Sequence, residues 1–348
     1  MEYRPIFHRL SLFLAALLLA VLFFSIRGIP LPGSPDRSEA ISEDSGEILR
    51  GNATGEFQGS GGIGSSDLER EMIVEEPWAD PESIIRAFAR AYPESVEEVA
   101  MRNGDWALRI GDMWFHFAEG KMLREDSLDD AEFYSGYSFY PYRPELPKLP
   151  EYTEQEIAEL EARVESQATS GIGRHMGLID ALWGIDDFGS SDQSVKTIYL
   201  FRRQVNVHRS LLEDLAEVEA RICRLAESDA ELRSYIENIG TITGHNWRQI
   251  SGTSSRSLHS YGIAVDILPA RYSSAQVYWR WARQLGLPWY SLPYEQRLMP
   301  PEAFIREFEK AGFVWGGKWR RFDTIHFEYR PEIFEINRRY WEIEAPAP

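Results

Sequence analysis

A chain of 348 residues with 43% hydrophobic residues and 11 Trp is long enough for one large domain or two ordinary ones with packed cores. Its net charge of −18 and pI of about 4.9 exclude a nucleic-acid partner, because phosphate binding needs a basic field. The single cysteine, Cys223, excludes an intramolecular disulfide and a cysteine-rich structural zinc site, and leaves the redox compartment open.

Arg4, His8 and Arg9 precede a run, Leu10 to Ile26, that is apolar apart from Ser11 and Ser25. A basic start followed by an apolar run is an export signal or a membrane anchor. Ser25-Ile26-Arg27-Gly28 is a poor cleavage site, so residues 1–27 read as an uncleaved anchor, with the remainder outside the cytoplasm, in the periplasm or cell envelope. If the segment is cleaved, the chain is secreted. Residues 28–75 are rich in Gly, Ser, Pro, Asp and Glu and hold few large apolar side chains, the composition of a flexible linker.

Residues 76–150 read as a small α+β unit. Asp80-Pro81 starts a helix with a capping carboxylate and a proline in the first turn, running to about Ala91. Trp106 to Ile110 and Met113 to Ala118, separated by Gly111-Asp112, read as a hairpin or meander. His116, alone in its strand, reads as structural. Phe133 to Pro150, dense in Tyr and Pro, reads as a segment that wraps an adjacent surface.

From Thr153 the pattern turns helical, with a capping box at Thr153 and Glu156. Lys196 to Phe201 has strand character. His208 stands before a helix marked by Leu211, Leu215, Val218, Ile222 and Leu225, and reads as a packing or capping residue. Ile239 to Thr243 is a short strand followed by a loop to Gln249. Gln276 to Leu285 reads as one amphipathic helix, and Pro300 to Lys310, stopped by Gly312, as another. Trp315 and Trp319 are candidates to line a cleft or to pack a core.

The chemistry is concentrated in Ser257-x-His259-x-x-Gly262-x-Ala264-x-Asp266 and in Asp323-x-x-His326. Two imidazoles and one carboxylate form a common catalytic zinc set, since three protein ligands leave a fourth position open for water. A second, unligated carboxylate can take the proton of that water. Ile263, Val265 and Ile267 alternate with Ala264 and Asp266, which predicts a half-buried strand with Asp266 on the face away from the core. His259 then comes from the loop entering that strand, and Gly262 lets the loop turn tightly. His326 and Glu328 share one face of a second strand, and Asp323 lies at its mouth. Glu328 is a candidate to orient His326 or a substrate group, and reads equally well as a solvated strand residue.

These two motifs resemble those of the VanY-like zinc peptidases: D-alanyl-D-alanine carboxypeptidases, D-Ala-D-Ala dipeptidases and L-alanyl-D-glutamate endopeptidases of peptidoglycan stem peptides. Asn246-Trp247-Arg248 before the motif, and Phe313 to Trp319 with His326-Phe327-Glu328-Tyr329-Arg330-Pro331 after it, also fit, most like the endopeptidase-type branch. The resemblance covers about residues 195–335. It implies an α+β fold of the hedgehog/D-Ala-D-Ala peptidase type, a small and mainly antiparallel sheet carrying a zinc site and flanked by helices, within a zinc peptidase domain at 151–348. It implies one Zn2+ on His259, Asp266 and His326, with Asp323 as the catalytic acid/base. Many relatives have Glu there, so Asp323 must approach more closely. An upstream Arg stabilises the oxyanion in the family; Arg248 matches by position and Arg256 is the rival. Ser257 and Arg256 are further candidates for substrate or supporting contacts. The implied partners are a peptidoglycan peptide and, through the N-terminal helix, a membrane. The alternative reading is a zinc-containing module of the same fold that binds cell wall or protein without cleaving it.

Overall fold

The computed structural model describes residues 79–341. The expected anchor and linker lie outside them. Among the described residues no helix is long and apolar enough to cross a membrane.

The first described element is helix α1 (Pro81–Ala91), where the Asp80 carboxylate accepts the Ser83 amide at 2.9 Å. It buries Ile84, Ile85, Ala87 and Phe88, one face of a 3.6-residue repeat. Four strands follow, β1 (Glu98–Arg102), β2 (Asp105–Ile110), β3 (Met113–Ala118) and β4 (Lys121–Arg124), paired antiparallel in sequence order. Asn103-Gly104 and Glu119-Gly120 both take positive φ, as two-residue turns between right-twisted strands require. His116 is fully buried in this sheet and is far in sequence and register from the metal-ligating motifs.

A short strand β5 (Tyr134–Ser135) then pairs in parallel with β6 (Gly173–Arg174), which follows helix α2 (Glu154–Ser170) and its capping box. Between them runs a strap that wraps the C-terminal part of the chain, as its composition predicts. Tyr142 donates to Glu309 at 2.6 Å, its amide donates to Asn337 at 3.0 Å, and Trp341 donates to its carbonyl at 3.0 Å. Helices α3 (Gly177–Trp183) and α4 (Phe188–Ser194) lead into the hairpin β7 (Val195–Leu200) and β8 (Arg203–His208). His208 caps the next turn, accepting the Ser210 amide through Nδ1 at 3.2 Å, in keeping with its expected role.

Helices α5 (Leu212–Ala226) and α6 (Ala230–Glu237) precede the sheet that carries the site. Its strands are β9 (Ile239–Thr243), β10 (Ala264–Pro269), β11 (Phe313–Trp315) and β12 (His326–Tyr329), ordered β11-β12-β10-β9 and antiparallel throughout. The expected half-buried strand is in fact buried along its whole length, because β10 is internal to the sheet and both its faces are covered. The expected helix over 276–285 is broken into α7 (Ser274–Val277) and α8 (Trp279–Gln284). Tyr278 is extended and bridges to Asp323, while Thr324 donates to the Val277 carbonyl and Trp279 donates to the Phe322 carbonyl. Those backbone bonds outcompete the helical ones and anchor the segment bearing Asp323. Helix α9 (Glu302–Lys310) precedes β11, and α10 (Pro331–Ile336) and α11 (Arg338–Trp341) close the chain described. The apolar core is continuous from Phe88 and Phe115 through Leu215 and Val265 to Phe304 and Phe327.

Gly262 ends the turn that carries His259, at φ +67°, and a Cβ there would stand 2.7 Å from the His208 amide nitrogen. A left-handed conformation costs a non-glycine residue about 1–2 kcal/mol before any clash. Gly262→Ala is therefore expected to lower unfolding free energy by at least that amount, measured by urea denaturation at constant m-value.

Candidate metal centre and active site

Three side chains converge where β10 and β12 pair. Asp266 stands opposite His326 in the antiparallel register, and His259 reaches them from the single turn Leu258–Tyr261. Ser257 caps that turn, its hydroxyl accepting the His259 amide at 3.4 Å, so it shapes the backbone that presents His259. His259 Nε2 lies 3.2 Å from Asp266 Oδ1 and 3.3 Å from His326 Nδ1, and the last two atoms are 2.8 Å apart.

The ring hydrogen bonds select which nitrogen faces the centre. His259 Nδ1 donates to the Gly244 carbonyl at 2.7 Å, which can only accept, so Nε2 keeps its lone pair. His326 places Nε2 at 3.2 Å from Glu328, which directs Nδ1 inward. Ligands at about 2.0–2.1 Å from a tetrahedral ion stand about 3.3 Å from one another. The two neutral imidazole nitrogens and one carboxylate oxygen fit such an ion in both chemistry and spacing. Among the described residues, His259, Asp266 and His326 each offer one ligand atom, all within 4.8 Å of one another.

The electrostatics agree with a cation site. Burial works to raise the Asp266 pKa, but His259 and His326 outweigh it and hold the carboxyl well below the usual carboxylate range. Burial opposes protonation of His326, yet its bonds to Asp266 and Glu328 raise its pKa well above the ordinary value. A metal ion held by these residues would take the place of that proton. Burial also opposes ionisation of Glu328, but His326 and Arg330 bring it down to about 2.

Asp323 stands at the mouth of β12, its amide held by the Gly316 carbonyl at 3.0 Å. Its Oδ1 is inaccessible to solvent and has no hydrogen-bond partner. Burial and the nearby Asp266 carboxylate push its pKa up to about 7, against the opposing pull of His326 and Arg248. Asp323 is not one of the three residues whose ligand atoms lie within 4.8 Å of one another.

The two candidate arginines differ in surroundings. Arg256 is paired with Asp180, donates to the Asp186 carbonyl at 2.8 Å, and lies over the rings of Trp247 and Tyr261. Arg248 is exposed, and its charge acts on Asp323. The two tryptophans also separate. Trp315 is fully buried, donating to the Thr324 carbonyl at 2.8 Å, whereas Trp319 is half-buried with its ring centroid 5.6 Å from that of His326.

Residue patterns did not reveal the Gly244 carbonyl, Thr243 or Arg330 as parts of the site. Thr243 faces Asp266 across the sheet, with its hydroxyl 3.5 Å from Oδ2. Arg330 lies 3.3 Å from the Glu328 carboxylate. Only the strand register and the loop leaving β9 bring the first two to the site.

No curated protein and no solved structure matches the chain. Residues 84–139 match a family described as a domain of unknown function, DUF8518. Residues 251–329, which hold Ser257, His259, Asp266, Asp323, His326 and Glu328, match the peptidase family described as D-alanyl-D-alanine carboxypeptidase.

Proposed function

We propose that this protein is a zinc metallopeptidase that hydrolyses an amide bond in peptidoglycan stem peptides, of the D-alanyl-D-alanine carboxypeptidase or L-alanyl-D-glutamate endopeptidase type. The observation that carries the reading is the convergence of His259 Nε2, Asp266 Oδ1 and His326 Nδ1 beside an unpaired, buried Asp323 oxygen. When bound, zinc supplies a Lewis acid and brings the pKa of water at its open position towards 7.

Asp323 takes the proton of the attacking water on its carboxylate. The water oxygen bonds to the amide carbon, the C–N bond breaks, and Asp323 delivers the proton to the leaving amine nitrogen. A carboxyl poised near neutrality serves both transfers. Arg248, whose charge acts on Asp323, would stabilise the developing oxyanion, a contribution of roughly 3–4 kcal/mol for one well-placed donor. Glu328 keeps His326 in the tautomer that points Nδ1 inward. An exported protein tethered by residues 10–26 would meet this substrate outside the cytoplasm, and the basic start and apolar run support that placement.

The purified protein loaded with zinc is expected to release new amino termini from isolated peptidoglycan, and to stop doing so after dialysis against a chelator. Mass spectrometry of the muropeptides identifies the bond. A zinc-loaded protein that binds wall material and releases nothing would establish the non-catalytic module instead.

A further inference from the structure

Two routes join the described residues up to Tyr140 to the metal centre, and both end on His326. The first begins at Glu328, whose second oxygen is 3.3 Å from Arg330 Nη1. Arg330 is buried, and a buried guanidinium needs acceptors for its fixed fork of donors. It finds them in Glu328, in Glu332 through Nε, and in the Ser138 carbonyl, which accepts Nη2 at 3.0 Å. Glu332 is fully buried, and its other oxygen accepts the Tyr92 hydroxyl at 2.8 Å. The second route is Trp319, whose ring lies against His326 and whose Nε1 donates to the Tyr140 hydroxyl at 3.0 Å.

Tyr92, Ser138 and Tyr140 all precede the peptidase match. Tyr92 and Ser138 fall within residues 84–139, and Tyr140 follows directly. Arg330 is the first residue after that match, so the relay joins the two matched regions.

We propose that the N-terminal module is a built part of the metal centre: Tyr92, Ser138 and Tyr140 are positioning residues that hold His326 through Arg330–Glu328 and through Trp319. A ligating imidazole is aimed by the acceptor on its other nitrogen, and that acceptor must itself be fixed. If the module withdrew, Arg330 would lose its Ser138 acceptor and Glu332 its Tyr92 donor. Glu328 would then be a poorly held carboxylate, and Trp319 would lose its anchor. The inference rests on the zinc reading above and gives the N-terminal module a role in it.

The full chain provides the test, with two readouts: zinc affinity by chelator competition, and the absorption spectrum of the cobalt(II)-loaded protein. Arg330→Gln is expected to weaken zinc binding about 10–100-fold, with partial rescue in Arg330→Lys. The Tyr92→Phe/Tyr140→Phe double variant removes two hydroxyls at the far ends of the relay and keeps both rings. It is expected to weaken zinc binding several-fold and to alter the cobalt spectrum. Arg90→Gln breaks an exposed contact of the same module with Glu335, 2.7 Å in length, and touches no part of the relay. It is expected to change neither readout, which separates positioning from simple docking. If Arg330→Gln does not fold, the double variant decides. Folded relay variants with wild-type affinity and spectrum would overturn the inference and leave the peptidase reading intact. A wild-type protein that binds no zinc would sink the peptidase reading itself.

Discussion

The Asp323→Ala variant is expected to retain zinc and to lose hydrolysis of stem peptides by about 10²- to 10⁴-fold, the usual contribution of a positioned acid/base. That range corresponds to about 3–5 kcal/mol in the barrier. The split between metal and turnover follows from geometry, because Asp323 lies outside the three-atom group formed by His259, Asp266 and His326. Metal content and steady-state rates, measured on the same preparation, check it; loss of zinc in this variant would make Asp323 a ligand. The pH dependence carries a definite sign. Asp323 accepts a proton only when ionised, so kcat/KM rises with pH through its pKa. Burial and Asp266 place that value at about 7 in the protein alone, and a neighbouring dication lowers it. The acid limb of the profile is thus expected below pH 7. Asp323→Glu is expected to retain measurable turnover, since it keeps the carboxylate.

Lys318→Met is expected to be among the most destabilising single substitutions, by about 3–5 kcal/mol in denaturant unfolding. Lys318 and Glu309 form a 2.5 Å ion pair with side chains 5% and 0% exposed. Burial pushes the Glu309 pKa up and the Lys318 pKa down, each against the attraction of its partner. Desolvation thus opposes the attraction in both groups, as it does in buried ion pairs generally. Removing the cation alone leaves the buried Glu309 carboxylate to the longer contact with Arg306, at 3.6 Å. It also removes the donor to the Arg143 and Pro144 carbonyls, both at 2.8 Å, and so loosens the strap. The double variant Lys318→Met/Glu309→Gln is expected to recover most of the loss, because a neutral amide still accepts from Tyr142. Equal stability of the single and double variants would show that the lost strap contacts, not the uncompensated charge, dominate.

Sequence alone determined the elements whose signals are local. The Asp80-Pro81 helix start, the hairpin around Gly111, the capping box at Thr153 and the stop at Gly312 depend on residues within a few positions of one another. The candidate ligand set was also legible, because His259 and Asp266 flank Gly262 in a short pattern and His326 follows Asp323 by three residues. Tertiary structure decided what depends on partners distant in the chain. Tyr278 breaks an otherwise helical pattern because the backbone of residues 322–324 offers its neighbours better hydrogen bonds. β10 is buried on both faces because strands pair on either side of it, a fact that alternation cannot express. Arg256 is distinguished from Arg248 by its partners Asp180 and Asp186, which lie 76 and 70 positions away. His326 is held by a relay running back to Tyr92, because a buried guanidinium draws acceptors from whatever elements pack around it. Sequence spacing names the groups that can carry the chemistry; long-range packing chooses which of them face the centre and what holds them there.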